Sequence, residues 1–384
     1  MKIDFKKLIK KNNLPPSGEK VVVAMSGGVD SSVAAVLLHK AGYQVIGVTM
    51  QLHESKGKKK SKTCCSGADI ADAREVAKNF DFKHYIIDYQ KEFKKFVIDD
   101  FVNSYVSGET PIPCIRCNQT VKFRDLVDFT IKVGAKVLVT GHYVRRVSDG
   151  NKYNIYQAND DTKDQSYFLF STTESQLKLL RFPLGDLKKE EVREIANHFK
   201  LKNANKPDSQ DICFIPDGNY RDFVKKNYKQ KLSKGNIENI DGKVIGDHEG
   251  IIDYTIGQRR GIGIGGVKGN TDHPANYVLK LDKENNKVIV GPKDKLKQYR
   301  IYLKDINLIN EGKFKNFEAE IKIRSGKKKI NAFIKILDDM KTGVVELSSP
   351  EYGVAPGQAC VFYKNQKVLG GGWIIGSEQE NLKN

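Results

Sequence analysis

Residues 21–50 read "VVVAMSGGVDSSVAAVLLHKAGYQVIGVTM", and the fold is decided there. Three valines ahead of Ala24 suit a strand buried on both faces. Small residues then make a turn, Ser26, Gly27, Gly28, Val29, Asp30, Ser31 and Ser32, and a helical run continues to Gly42. "YQVIGVTMQL" supplies a second strand. A helix between two apolar strands is the unit of a parallel sheet. The turn therefore lies between a strand end and a helix start, where free backbone N–H groups and the positive helix end favour an anion. Its glycines permit close backbone approach and its serines add donors. It has neither the G-x-x-x-x-G-K-[ST] nor the G-x-G-x-x-G spacing, and the phosphate-loop lysine is missing.

Outward from this unit the alternation continues. "GADIADAREVAKNFD" reads as a helix, "KHYIIDY" as a third strand and "AKVLVTGHY" as a later one. The expected first domain, 1–215, is an α/β doubly wound parallel sheet covered by helices on both faces. Asp69, Asp72 and Arg74 read as a solvated helix start with local charge pairs. "HESKGKKKSKTCC" breaks the order with a lysine-rich loop. After Pro216 comes one more helix, "YRDFVKKNYKQ", and then a glycine-dense stretch ending in "TIGQRRGIGIGG". These make a small central α+β domain, 216–277. From 278 to 384, short runs such as "KVIVG", "FEAEIKIRS" and "GVVELSSP" between turns, with "YVLKLD" at their head, predict a C-terminal β-barrel.

The chain has 384 residues, which suits two or three domains. Its 65 basic against 47 acidic side chains give a formal charge of +18, and such a surface attracts polyanions. No run is long and apolar enough for a membrane helix, and the N-terminus does not read as a secretory signal. Six cysteines in so long a chain do not make a disulfide framework. The expected home is a reducing cytoplasm, where clustered cysteines point to catalysis or metal.

Cys114 and Cys117 lie in "TPIPCIRCNQTVKF", and Cys213 in "PDSQDICFIPDGNY". The prolines predict a defined loop for the first pair, with Arg116 and Lys122 favouring the thiolate. Cys360, in "GQACVFY", reads as structural. A zinc site would have to add Cys64 and Cys65, and adjacent cysteines rarely serve one tetrahedral ion. Sulfur chemistry needs two thiols that can meet, one to carry a sulfane sulfur and one to attack it.

The Ser26–Ser32 turn resembles the SGG-x-DS signature of the ATP pyrophosphatase superfamily, which cleaves ATP between its α- and β-phosphates. That implies Mg²⁺ on the released pyrophosphate, helped by Asp30. With "CCSGADIADAREVA", "PCIRCNQTVKF", "TGHYVR", "KDQSYFL", "PDSQDICFI" and "YTIGQRRGIGIGG", the chain resembles the tRNA-specific 2-thiouridylase family over nearly its whole length. The resemblance implies an adenine-nucleotide α-hydrolase-like catalytic domain. It also implies sulfur insertion at C2 of the wobble uridine in tRNAs of the Lys, Glu and Gln type. ATP would adenylate the uracil oxygen. A persulfide on Cys213, supplied by a cysteine desulfurase and a sulfur-carrier relay, would deliver sulfur. Cys117 would be the nucleophile, leaving a Cys117–Cys213 disulfide.

By the same resemblance, Ala24, Met25, Ser26, Gly27, Gly28, Val29, Asp30, Ser31, Met50 and Gly141 would contact ATP. Ile112, Pro113, Cys114, His142, Lys163, Asp164, Gln165, Arg324, Ser325 and Gln358 would contact tRNA. Cys114 departs from the pattern, since many members have Asp there. With Cys117 and Cys213 it makes an alternative ligand set for a [4Fe–4S] cluster. A pyrophosphatase-loop amide-forming synthetase is the rival enzyme, and it needs no paired thiols. A tRNA-binding protein that merely keeps a nucleotide site is the rival without catalysis.

Overall fold

Val21, Val22 and Val23 are fully buried in the computed structural model. It describes residues 4–53, 67–208, 212–215, 218–230, 232–263, 275–310 and 314–379. Lys20–Ala24 is the middle strand of five, with Gln44–Gln51 and then Lys83–Asp88 on one side. On the other side lie Val137–Val139 and then Leu180–Arg181, and every pairing is parallel. Side chains alternate along a strand, so neighbouring valines enter different cores. Val21 and Val23 pack with Val33, Val36, Ala73 and Val192, whereas Val22 packs with Phe93, Phe123 and Leu126. Helix Val29–Lys40 is buried from Ser31 to Leu38, which explains its alanines and valines and its lack of a polar face. The chain winds away from Lys20–Ala24 in one direction and returns on the other side. The crevice for a ligand in such a sheet lies at that reversal, beyond the carboxyl ends of the strands.

The C-terminal barrel closes six antiparallel strands. They are Lys297–Leu308, Gly343–Tyr352, Ile330–Ile336, Asn316–Lys322, Ala359–Lys364 and Lys367–Glu378. A hairpin of the first domain, Val144–Asp149 with Lys152–Gln157, extends this sheet, since Ile155 pairs with Val368 and Tyr156 with Lys367. One hydrophobic core consequently runs from Val22 through Ile115 and Cys117 to Ala359, Tyr363 and Trp373.

Tyr277–Asp282 and Lys287–Gly291 were expected in the barrel, and they are not there. They join Gly235–Asn239 and Val244–His248 in a separate four-stranded sheet. Val278, Val288 and Val290 fill its core with Ile237 and Tyr254. Apolar alternation identifies a half-buried strand but carries no information about which neighbour it pairs with. The lysine-rich run with Cys64 and Cys65, and the end of "TIGQRRGIGIGG", lie outside the described residues. Among the described residues no helix is long and apolar enough to cross a membrane.

Candidate active site

The Ser26–Ser32 turn follows the middle strand at the reversal of the sheet, and Gly28 caps helix Val29–Lys40. Within the turn, Ser31 Oγ accepts from Ser26 N (3.1 Å), and Ser32 Oγ donates to the Gly28 carbonyl (2.9 Å). Ser26 stays exposed. The hydroxyls of Ser31 and Ser32 thus hold the loop's shape, and the first N–H groups of a twelve-residue helix face the crevice. Met50 is the last residue but one of the strand Gln44–Gln51 and is buried. Gly141 arrives from the strand on the other side. A Cβ there would stand 2.8 Å from Ser31 N, so only glycine lets this backbone lie against the turn.

Beneath the turn, Asn203 Nδ2 donates to the Gly27 carbonyl (3.1 Å) and to Ser32 Oγ (2.9 Å). Lys206 Nζ bonds the same carbonyl (3.2 Å) and pairs with Asp69 (2.5 Å) and Asp72 (2.6 Å). Asp69 is therefore buried in a long-range pair and is not part of a solvated helix start. Gly27 has φ +76°, and a Cβ on it would meet the Asp69 carbonyl oxygen at 2.1 Å. Gly27→Ala should destabilise the protein by about 2 kcal/mol and lower kcat/KM for ATP about a hundredfold. Urea unfolding and ATP-dependent pyrophosphate release check the two effects separately.

The electrostatic centre of the site is Asp30. Lys189 Nζ reaches both its carboxylate oxygens (2.7 and 2.9 Å), and Tyr143 donates its hydroxyl at 2.8 Å. Lys189 is 8% exposed and also pairs with Asp208 at 2.7 Å. Asp208 is bonded in turn by Lys163 (2.8 Å) and Arg193 (3.4 Å). Burial works to raise the Asp208 carboxyl, but the bonds from Lys163 and Lys189 outweigh it and hold it below the usual range. A chain of alternating charges so links the turn to the segment five residues ahead of Cys213. The sequence reading named Asp30 and Lys163 but missed Lys189, Asp208 and Tyr143. One signal was available: Lys189 opens its helix, where a cation opposes the helix dipole.

His142 is half-buried, with Thr140 Oγ1 2.9 Å from its Nδ1 and the rings of Phe123 and Phe182 edge-on to it. Burial, and then the charge of Lys122, lower its pKa from 6.5 to about 3. The folded protein thus keeps the imidazole neutral while the unfolded chain takes up a proton as pH falls below 6.5. Stability from this group is present above that pH and is lost on the way down to about 3. His142→Asn should flatten the decline of the urea midpoint between about pH 7.5 and 5. An unchanged slope would show that another group carries it.

Cys114 and Cys117 lie on a single helical turn, Pro113–Cys117, and not in a loop. Proline suits the first position of a helix because no N–H partner is needed there. A π-helical stretch, Asn118–Lys122, carries the chain on into helix Phe123–Lys132. The spacing of three residues puts both thiols on one side of the turn, Cys114 exposed and Cys117 buried. The expected thiolate is not found. Burial pushes the Cys117 thiol up to about 11, Lys122 pulls it back only partly, and Cys114 adds to the rise. Arg116 turns elsewhere, to Asp100 (3.5 Å) and over the ring of Trp373. Cys213 is half-buried and packs against the same core that contains Cys117, and the neighbouring Phe214 meets Phe93 and Phe101 edge-on.

The other expected contact residues divide. Asp164 accepts from Ala158 N, Gln157 Nε2, Ser166 N and Ser166 Oγ, and Gln165 Oε1 accepts from Tyr143 N. Both side chains brace the chain on either side of the hairpin Val144–Asp149 with Lys152–Gln157, within the first domain. Arg324 donates to the Gly353 carbonyl (2.8 Å), Ser325 is exposed, and Gln358 donates to the Thr110 carbonyl (2.8 Å). Ile112 and Pro113 lead into the thiol-bearing turn.

For Mg²⁺, the donor set is the single carboxylate Asp30. That fits an ion held mainly by phosphate oxygens, the usual habit of Mg²⁺. Among the described residues no three His, Cys, Asp or Glu side chains gather into a ligand set. Cys114, Cys117 and Cys213 therefore form no such group among the described residues.

Residues 19–217 match the family description "tRNA methyl transferase HUP domain". Residues 221–292 match its PRC-barrel domain, and 298–374 an "Aminomethyltransferase beta-barrel domain". The chain is similar to the protein named tRNA-specific 2-thiouridylase MnmA of Wolbachia pipientis subsp. Culex pipiens, with 50% identity over 94% of this chain and 95% of that one. Similarity extends to the proteins of that name from Rhodospirillum centenum (47%, covering 94% and 93%) and Ehrlichia ruminantium strain Welgevonden (46%, covering 97% and 99%). With the turn at the sheet reversal, the glycine laid against it and this similarity over nearly the whole chain, the chain belongs to the tRNA-specific 2-thiouridylase family.

Proposed function

We propose that the protein uses ATP to place sulfur on C2 of the wobble uridine of tRNAs of the Lys, Glu and Gln type, in the cytoplasm. The observation that supports this most is the pairing of an anion-binding turn at the sheet reversal with two cysteines that border one core. ATP lies with its phosphates on the Ser26–Ser32 N–H groups. The uridine C2 oxygen attacks the α-phosphorus and pyrophosphate leaves, which makes that oxygen part of a good leaving group. Mg²⁺, when bound, supplies charge neutralisation on the pyrophosphate, with Asp30 as its protein ligand. Tyr143 and Lys189 hold Asp30 in place. Cys213, loaded as a persulfide by a desulfurase relay, presents its terminal sulfur to the activated carbon and AMP departs. Cys117 then attacks the Cys213 sulfur, the persulfide bond breaks, and a disulfide remains for an external thiol to reduce.

The test supplies the purified protein with ATP, Mg²⁺, unmodified tRNA and a persulfide donor. Nucleosides are identified by mass spectrometry and pyrophosphate is followed in parallel. Formation of 2-thiouridine with matching pyrophosphate release is the expected result. Pyrophosphate with no sulfur incorporated points to the amide-forming rival, and tRNA binding without pyrophosphate to the non-catalytic one. Binding should weaken steeply with added salt, since each neutralised phosphate releases about one counterion.

A further inference from the structure

The segment that carries Cys114 and Cys117 belongs to the first domain, yet both its ends are held by the barrel. At the front, Thr110 N donates to the Pro356 carbonyl (2.7 Å) and the Thr110 carbonyl accepts from Gln358 Nε2 (2.8 Å). Gly357 lies so close that a Cβ there would stand 3.0 Å from Thr110 N and from Glu109 Cβ. At the back, the Arg116 guanidinium carbon sits 4.2 Å from the centre of the Trp373 ring. Trp373 is 3% exposed and is braced edge-on by Phe170. Arg116 is fixed further by Asp100 (3.5 Å) and Gln119 (3.4 Å). A planar cation on an aromatic face has a defined orientation, which a lysine ammonium lacks. Arg116 immediately precedes Cys117, so whatever sets its plane also sets the direction of the next side chain on the turn.

We propose that Arg116 and Trp373 are a positioning pair through which the C-terminal barrel fixes the Cys114–Cys117 turn, so that sulfur transfer depends on the barrel and ATP cleavage does not. The proposal rests on the thiolation reading and adds the device that aims one of its thiols. Neither side chain touches the nucleotide turn, which is braced by Asn203, Lys206 and Gly141. Loosening the pair therefore leaves the loop intact and frees Cys117.

The experiment compares wild type with Arg116→Met, Arg116→Lys and Trp373→Phe in the full-length protein. Trp373 is the chain's single tryptophan, so its emission reports the contact directly. Arg116→Met should shift that emission. The ratio of 2-thiouridine formed to pyrophosphate released should fall about tenfold, with pyrophosphate release within about twofold of wild type. Arg116→Lys should restore little of the ratio, and Trp373→Phe, which keeps an aromatic face, should restore most of it. Alkylation of Cys117, read by peptide mass spectrometry, should be about tenfold faster in Arg116→Met. Cys360, buried in the barrel, should stay unmodified as the check on folding.

Unchanged emission together with unchanged Cys117 alkylation overturns the proposal. So does an equal loss of pyrophosphate release and thiolation, or alkylation of Cys360 alongside Cys117, because either marks a general structural role. Emission and alkylation decide the matter even where wild-type protein forms no 2-thiouridine, the separate result that removes the proposed function.

Discussion

Cys213→Ser protein should release pyrophosphate from ATP in the presence of tRNA and yet form 2-thiouridine at least about a thousandfold more slowly than wild type. A hydroxyl cannot carry a sulfane sulfur, while the Ser26–Ser32 turn is held by Asn203, Lys206 and the close approach of Gly141. Cys117→Ser should be impaired to a comparable degree, and the double variant no worse than either, because the proposed mechanism uses the two thiols in one sequence of steps. Single-turnover assays on the three variants give the answer. Additive losses would mean that the cysteines serve separate steps. The resting state sharpens this expectation. With burial pushing its pKa up to about 11, Cys117 rests as the neutral thiol. In the proposed mechanism, the attack by Cys117 calls for bound substrate to change the surroundings of a thiol sealed in a core.

Lys189→Met should cost about 3 kcal/mol of stability and lower the pyrophosphate release rate about a hundredfold. Removing this ammonium leaves two carboxylates, Asp30 and Asp208, facing each other without the cation they share. Breaking such a pair is expensive because the remaining charges stay partly desolvated, and their partial exposure puts the loss at the lower end of the usual range. Asp30 would keep only the Tyr143 hydroxyl bond to orient it. Urea unfolding and initial rates measure the two effects. A variant of normal stability and slow pyrophosphate release would confine Lys189 to the chemistry, and the reverse would confine it to the fold.

The middle of the catalytic domain was legible in the sequence for a simple reason. A strand buried on both faces must be apolar throughout, and Val21–Val23 with the run after Gln44 have no other plausible use. The turn between them was equally plain, because its Gly27 takes a positive φ and lies where a Cβ would clash. Partnerships between distant segments were not legible. Nothing in "YVLKLD" says that it pairs with its own hairpin and the central sheet, and nothing near Lys189 says that Asp30 lies beside it. Electrostatics failed in a similar way at Cys117. Neighbouring basic residues in sequence suggested an ionised thiol, but its burial, visible only once the core is assembled, dominates.

The hairpin that leaves the catalytic domain to pair with Lys367–Glu378 has a practical corollary. Truncating the chain before Lys297 would strip the neighbour from Lys152–Gln157 and uncover Ile155, which is fully buried in the intact molecule. Such an orphaned edge invites other chains to add to it. Anyone dividing this enzyme into pieces should expect insoluble fragments, and evolution faces the same obstacle to shedding or swapping its last quarter.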